Sequence, residues 1–147
     1  RMSSNEFHTE FCDFLDVEIP YKKFVDIWNS PFSLNEGIIE ILYALKPNYI
    51  LSIGSNTDPM HFQNAMQSIC HLQAFKRFFL SYEFGYLKTE PEFFITTLNE
   101  LSVIPEESIF IDDKVVNVAA AAKLGLKAIQ FQSNEQLKEE LKTLVQF

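Results

Sequence analysis

The sequence predicts an α/β fold: a parallel sheet with covering helices, together with a small helical region ahead of it. Three observations carry that prediction. After Pro47, short apolar runs alternate with stretches of helical periodicity. Before Pro47, apolar residues recur only at helical spacing. Polar clusters directly follow several of the apolar runs, which is where a parallel sheet presents its chemistry. The expected boundary divides a helical region, residues 1–46, from an α/β region, residues 47–147.

In the helical region Phe7, Phe11 and Phe14 fit one helix face, and Phe24, Ile27 and Trp28 a second. Ile38, Ile41, Leu42 and Leu45 fit a third, which Ser33 and Glu36 open at capping-box spacing. Pro20 and Pro31 punctuate these helices. Beyond Pro47, Tyr49 to Ile53 reads as a buried strand, and the turn Gly54-Ser55-Asn56-Thr57 leads into a helix from Pro59 to Ile69. Phe78 to Leu80 reads as a short strand. A helix from Thr89 to about Leu101 follows, with Thr89 and Glu92 at capping-box spacing and Phe94, Leu98 and Leu101 turned inward. Ser108 to Ile111 is a strand, and Val115 to Leu124 a helix stopped by Gly125. Leu126 to Phe131 is a further strand. Ser133 and Gln136 cap a last helix whose Leu137, Leu141, Leu144 and Val145 share a face.

Composition narrows the function. Twelve Lys+Arg against twenty Asp+Glu leave a net charge of −8 in 147 residues, the wrong sign for nucleic acid. A phosphorylated small molecule is compatible with that charge where a metal ion supplies positive charge locally. No apolar run approaches the roughly 18 residues of a membrane-spanning helix, and no secretory pattern opens the chain. Cys12 and Cys70 read as two free thiols in a reducing compartment, so a cytoplasmic protein without membrane partners is the expectation. Fifteen phenylalanines imply a core of large side chains, and with it a homodimer through the Phe-rich helices.

Three strand ends carry chemistry. Ser55-Asn56-Thr57 places hydroxyls and an amide ahead of a helix N-terminus, a setting suited to phosphate, unless Thr57 simply caps the helix. Asp112-Asp113 follows a buried apolar strand. Two adjacent carboxylates there call for positive charge, and Mg2+, held by one or two carboxylates plus waters and substrate oxygens, supplies it. The competing reading has Asp113 cap the next helix while Asp112 is solvated. Lys88 on spacing alone is an ordinary surface lysine; beside a hydroxyl and a carboxylate pair it completes a phosphoryl-transfer set without a nucleophile. His61 reads as a surface or supporting residue, His8 and His71 as helix-face residues, and Trp28 as core or interface. The Lys/Glu pattern from Glu135 to Lys142 reads as a solvated face.

The runs YILSIGSNTDPMH, FFLSYEFGYLKTEPEFF and IFIDDKVVNVAAAAKLGLKAIQF, in that order, resemble haloacid dehalogenase-like hydrolases, in particular the phosphatase branch with a small helical cap. The resemblance covers roughly Phe7 to Leu141. It implies a Rossmann-like parallel sheet, with the helices before Pro47 as the cap that covers the site and sets substrate choice. It implies that Ser55, with Asn56 beside it, hydrogen-bonds the transferring phosphoryl group, and that Lys88 neutralises charge on nucleophile and phosphate. Asp112 would coordinate Mg2+ directly with Asp113 in support, and Asn117 would be structural. Where the family usually has a proline after the lysine, this chain has Thr89, with Pro91 two residues later.

The family's nucleophile is an aspartate at the end of a central strand that precedes the cap, with a second aspartate two residues on. Here the only early aspartates, Asp13 and Asp16, sit in the helical FCDFLDVEI segment and do not match it. The resemblance therefore implies that the first, central strand is missing from this sequence and that no nucleophile lies in this chain. The strand would lie upstream, come from a second polypeptide, or be truly absent. The expectation is an Mg2+-dependent phosphatase of a small phosphorylated metabolite, working through an aspartyl-phosphate whose aspartate lies outside these residues. The alternative is a catalytically inactive, truncated protein that serves as a binding, regulatory or dimerising module.

Overall fold

Ser3 starts the first helix of the computed structural model, which describes residues 2–30 and 33–146; Pro31, expected to punctuate the helices, lies outside the described residues. The helices and strands are α1 (Ser4–Leu15), α2 (Tyr21–Asn29), α3 (Ile38–Leu45), β1 (Ser52–Ser55), α4 (Pro59–Ser68), β2 (Arg77–Leu80) and α5 (Ser81–Phe84). They continue as α6 (Pro91–Leu101), β3 (Ile109–Asp112), α7 (Val115–Lys123), β4 (Lys127–Gln130) and α8 (Asn134–Leu144). The chain forms two compact units, one of residues 1–34 and 57–72, the other of residues 35–56 and 73–147. This partition differs from a cut at residue 46. Helix α3 joins the strand-bearing unit because Ile41 and Leu45 pack with Ile129, Leu137 and Leu141, and α4 joins the helical unit.

In the helical unit a capping box between Ser3 and Glu6 opens α1, and Asp16, at φ 53°, closes it. Phe7 and Phe11 of α1 pack on Phe24 and Trp28 of α2, with ring centroids 5.1 Å apart for Phe7 and Trp28 and 5.3 Å for Phe11 and Phe24. Phe14 shares their periodicity but is 86% exposed, and Ile27 is 52% exposed. The four-ring cluster forms without them, and period alone does not say where a neighbouring helix ends. Asp58 caps α4, its Oδ1 accepting from the backbone N–H groups of Met60 and His61 at 2.9 and 3.0 Å. Its Oδ2 accepts from Trp28 Nε1 at 3.1 Å and lies 2.6 Å from His61 Nδ1. The His61 ring stacks on Trp28.

In the strand-bearing unit β1 pairs in parallel with β2, from Ser52↔Arg77 to Ser55↔Leu80, and β3 pairs in parallel with β4, from Ile109↔Lys127 to Asp112↔Gln130. Among the described residues these are two separate two-stranded sheets. Phe79 of β2, Phe93 and Phe94 of α6 and Ala121 of α7 form one core cluster, and the α3–α8 cluster forms another. A cavity of about 400 Å³ is lined by Leu51, Ser52 and Gly54 from around β1 and by Ile109, Phe110 and Ile111 of β3, with Phe93 and Leu141 among the helical side chains around it. The buried Ser52 Oγ finds no hydrogen-bond partner among the described residues.

Local chemistry moved several expected boundaries. Strand β1 begins three residues after Tyr49, because the N–H groups of Asn48 and Tyr49 still bond back to the Leu45 carbonyl. No Ser33–Glu36 box opens α3, which starts behind Gly37 without a side-chain cap. Helix α6 starts at Pro91, whose fixed φ suits a first helical position, so Thr89 is not its cap. Gly125, at φ +89°, does terminate α7: the N–H groups of Gly125 and Leu126 bond back to the Ala122 and Ala121 carbonyls. Ser133 caps α8, accepting from Gln136 N–H, as expected.

Candidate active site

Chemistry in parallel sheets gathers at the carboxyl ends of the strands, and β1 and β3, one from each two-stranded sheet, both run directly into polar residues. Strand β1 ends at the half-buried Ser55, and the next residue, Asn56, is exposed. Asn56 Oδ1 accepts the backbone N–H of Lys88 at 2.9 Å, tying the segment after α5 to the end of β1. Glu90 holds the same segment by accepting the Leu87 N–H at 2.6 Å, and Gly85, at φ 78°, supplies the turn that leads into it.

Lys88 Nζ donates to Asp112 Oδ2 at 2.5 Å, with side chains 15% and 3% exposed. The other oxygen, Asp112 Oδ1, accepts from Lys114 N–H and from Asn117 Nδ2, each at 2.9 Å. Asp112 and Asn117 are the buried polar residues of the core. Burial pushes the Asp112 carboxyl up. Hydrogen bonds from Lys88, Lys114 and Asn117 and the charge of Lys88 outweigh it, so the carboxyl is held below the ordinary aspartate value.

Of the residues singled out in the sequence, hydrogen bonds bring Asn56, Lys88 and Asp112 together, and Ser55 stands beside Asn56 at the end of β1. Asp113 is exposed, and its carbonyl accepts from Gln130 Nε2 at 3.1 Å. The reading in which Asp113 caps α7 while Asp112 is solvated is reversed: Asp112 takes the Lys114 N–H and α7 has no side-chain cap. Nor does Thr57 cap α4, a role that falls to Asp58. Asp13 lies on α1 and Asp16 caps its end, both exposed and neither following a strand. Asn117, read from sequence as structural, turns out to bond the site's carboxylate. Its signal was a lone amide five residues after Asp112 in an otherwise apolar helix start.

Asp112 and Asp113 are hard oxygen donors, and among the described residues no group of three or more His, Cys, Asp or Glu side chains could hold a metal. Two carboxylates fit Mg2+, which keeps waters and shares substrate oxygens, better than a metal that needs a full protein shell.

A family model described as haloacid dehalogenase-like hydrolase matches residues 5–125. The chain belongs to the haloacid dehalogenase-like hydrolases. This hydrolase is 23% identical to D-ribitol-5-phosphate phosphatase of Bacteroides thetaiotaomicron over 99% of the chain and 74% of the relative. It is 28% identical to flavin mononucleotide hydrolase 1 of Arabidopsis thaliana over 91% of the chain and 54% of that protein. The chain thus spans about three quarters of one of these relatives and about half of the other. In fold it is similar to a HAD family enzyme of Bacteroides thetaiotaomicron solved in complex with magnesium and inorganic phosphate, with a TM-score of 0.84 at 24% identity over 89% of this chain and 70% of that one. No helix among the described residues is long and apolar enough to cross a membrane.

Proposed function

We propose that this hydrolase serves the Mg2+-dependent hydrolysis of a phosphate monoester on a small metabolite, of the sugar-alcohol phosphate or flavin nucleotide kind for which its relatives are named. The observation that carries the proposal is the Lys88 ammonium, tied through its backbone to Asn56 and through its side chain to the buried Asp112. A cation, an amide, a hydroxyl and a carboxylate pair at strand carboxyl ends are what a phosphoryl group needs for positioning and charge neutralisation.

In this reading Lys88 draws negative charge from the phosphoryl oxygens and from the attacking carboxylate. Asn56 has spent its Oδ1 on Lys88, which leaves Nδ2 to donate to a phosphoryl oxygen, and Ser55 Oγ donates beside it. Asp112 and Asp113 hold Mg2+, which when bound neutralises charge on the transferring group. An aspartate oxygen attacks phosphorus, the P–O bond to the substrate breaks with the electron pair leaving on the alcohol oxygen, and water then hydrolyses the aspartyl-phosphate. That aspartate is not among these 147 residues. The cavity lined by β1 and β3, with apolar walls and the unpartnered Ser52 Oγ, supports its delivery on an apolar strand. The helical unit acts as the cap that sets substrate choice, in a cytoplasmic setting.

The test is phosphate release with Mg2+ from a panel of sugar-alcohol phosphates and flavin mononucleotide, alongside calorimetric titration of Mg2+ and inorganic phosphate. Asp112→Asn should abolish Mg2+ affinity. Unchanged Mg2+ and phosphate binding in that variant would remove Asp112 from the site, and turnover by the 147 residues alone would overturn the assignment of the nucleophile.

A further inference from the structure

We propose that His61, Asp58 and Trp28 form a proton-dependent clasp between α2 and α4, closed while the His61 ring carries both its protons and loosened when it gives one up. The inference concerns the helical unit alone and does not rest on the phosphatase reading.

Both nitrogens of the His61 ring face oxygens. Nδ1 lies 2.6 Å from Asp58 Oδ2, and Nε2 lies 2.9 Å from the Trp28 carbonyl oxygen. A carbonyl only accepts. The Asp58 carboxylate is held as an acceptor too, because Trp28 Nε1 donates to Oδ2 and the Met60 and His61 N–H groups donate to Oδ1. A neutral imidazole carries one N–H, so it would satisfy one of the two oxygens and turn a lone pair on the other. The geometry is complete only with an imidazolium, which donates to both.

Trp28 is thereby held twice, through its indole N–H by Asp58 and through its backbone carbonyl by His61. That carbonyl stands in the last turn of α2, where helix carbonyls lack partners within the helix and positive charge is favoured. The His61 ring lies parallel to the indole, 7° between planes and 5.5 Å between centroids, so a charged ring also meets an aromatic face. In the first turn of α4 the same charge is disfavoured by its own helix, and the Asp58 carboxylate offsets it. A bond to a carboxylate is stronger than one to a neutral carbonyl, so the proton that leaves is the one on Nε2. Two lone pairs then face each other, and His61 releases the end of α2. The indole bond to Asp58 and the cap of α4 remain.

Asp58 is the charged group bonded to the ring. Of the other titratable side chains on the packed helices, Tyr21, Lys22, Lys23 and Asp26 of α2 and Glu6, Glu10 and Asp13 of α1 are exposed, and Cys12 of α1 is half-buried. His8 of α1 is engaged with the Ile19 carbonyl and the Tyr21 ring.

The experiment uses the 147-residue chain with His61→Gln, whose amide N–H replaces the Nε2 donor and does not titrate, and His61→Leu, which has no donor. The His61 ring nitrogens are followed by nitrogen-15 NMR and Trp28, the sole tryptophan, by its emission, from about pH 5 to about pH 8, the range in which histidine changes charge. In the unaltered chain both nitrogens should be protonated at the acid end. Nε2 should lose its proton as pH rises, and Trp28 emission should change along the same curve. That component should vanish in both His61 variants and persist in His8→Gln. The urea midpoint read from Trp28 should fall more across the range in the unaltered chain than in His61→Gln. An Nε2 without a proton throughout the range, or a Trp28 curve that His61→Gln leaves as it was, would overturn the inference. Should both His61 variants fail to fold by circular dichroism, the nitrogen signals of the unaltered chain decide.

Discussion

Lys88 Nζ and Asp112 Oδ2 lie 2.5 Å apart and join two segments 24 residues distant in sequence, one after α5 and the other at the end of β3. The pair places a cation against the only buried carboxylate among the described residues.

Removing Lys88 leaves that carboxylate with two neutral donors and no counter-charge. Lys88→Met should therefore cost about 3 kcal/mol in urea unfolding, toward the lower end for breaking a buried pair because the two donors remain. Combining it with Asp112→Asn should recover part of the loss. Additivity of the two single effects within about 0.5 kcal/mol would mean the pair is not coupled.

The pH dependence follows from the direction of the Asp112 shift. Burial raises its pKa, but the Lys88, Lys114 and Asn117 bonds and the Lys88 charge lower it by more, so the folded carboxyl titrates below the unfolded one. The unfolded chain then binds the proton more readily. The contribution to stability is complete above the unfolded value of about 3.9 and is lost as pH falls through the lower folded value. Urea unfolding of the unaltered chain and of Asp112→Asn should thus differ at pH 6 and converge toward pH 2. A gap that widens in acid would contradict the assignment.

Asp58 holds the start of α4 and two ring nitrogens at once. Asp58→Ala should destabilise the helical unit by about 2 kcal/mol, the upper end for a lost N-cap, because Trp28 and His61 lose a partner as well. Trp28 is the sole tryptophan, so its fluorescence reports the change directly. An unaltered emission spectrum and midpoint would show the cap to be dispensable.

Gly54 touches the core more tightly than its small size implies. A Cβ there would stand 3.0 and 3.2 Å from two ring carbons of Phe93, which is 2% exposed. Gly54→Ala should cost about 1–2 kcal/mol by overpacking. The cost should shrink in a Phe93→Leu background, where the ring edge is gone; an equal cost in both backgrounds would place the strain elsewhere. Phe93→Ala alone should cost about 3–5 kcal/mol.

Much of this was legible in the sequence wherever one local rule applied. The helix from Pro59 was expected to run to Ile69 and ends at Ser68, and Gly125 stops α7 as its freedom at positive φ requires. Short-range competition displaced other boundaries, as where the Leu45 carbonyl draws in the N–H groups of Asn48 and Tyr49 before β1 can begin. The face of α1 was legible but its extent was not, and Phe14 is left in solvent.

By itself the sequence determined the kind and order of the elements other than α5, and it put Ser55, Asn56, Asp112 and Asp113 at strand ends and Lys88 between a strand and the next long helix. Period and turn chemistry act within a few residues, and a linear reading sees that range. Tertiary structure alone decided how those residues divide their work. Asp112 is buried and bonded while Asp113 faces water, Asn56 braces the lysine segment, and Asn117 reaches back to Asp112. It also decided that α3 packs in the strand-bearing unit and that α4 joins the unit of the first two helices, against α2. These outcomes depend on which groups meet across tens of residues once apolar surface is buried, and on the cost of leaving a buried polar atom without a partner.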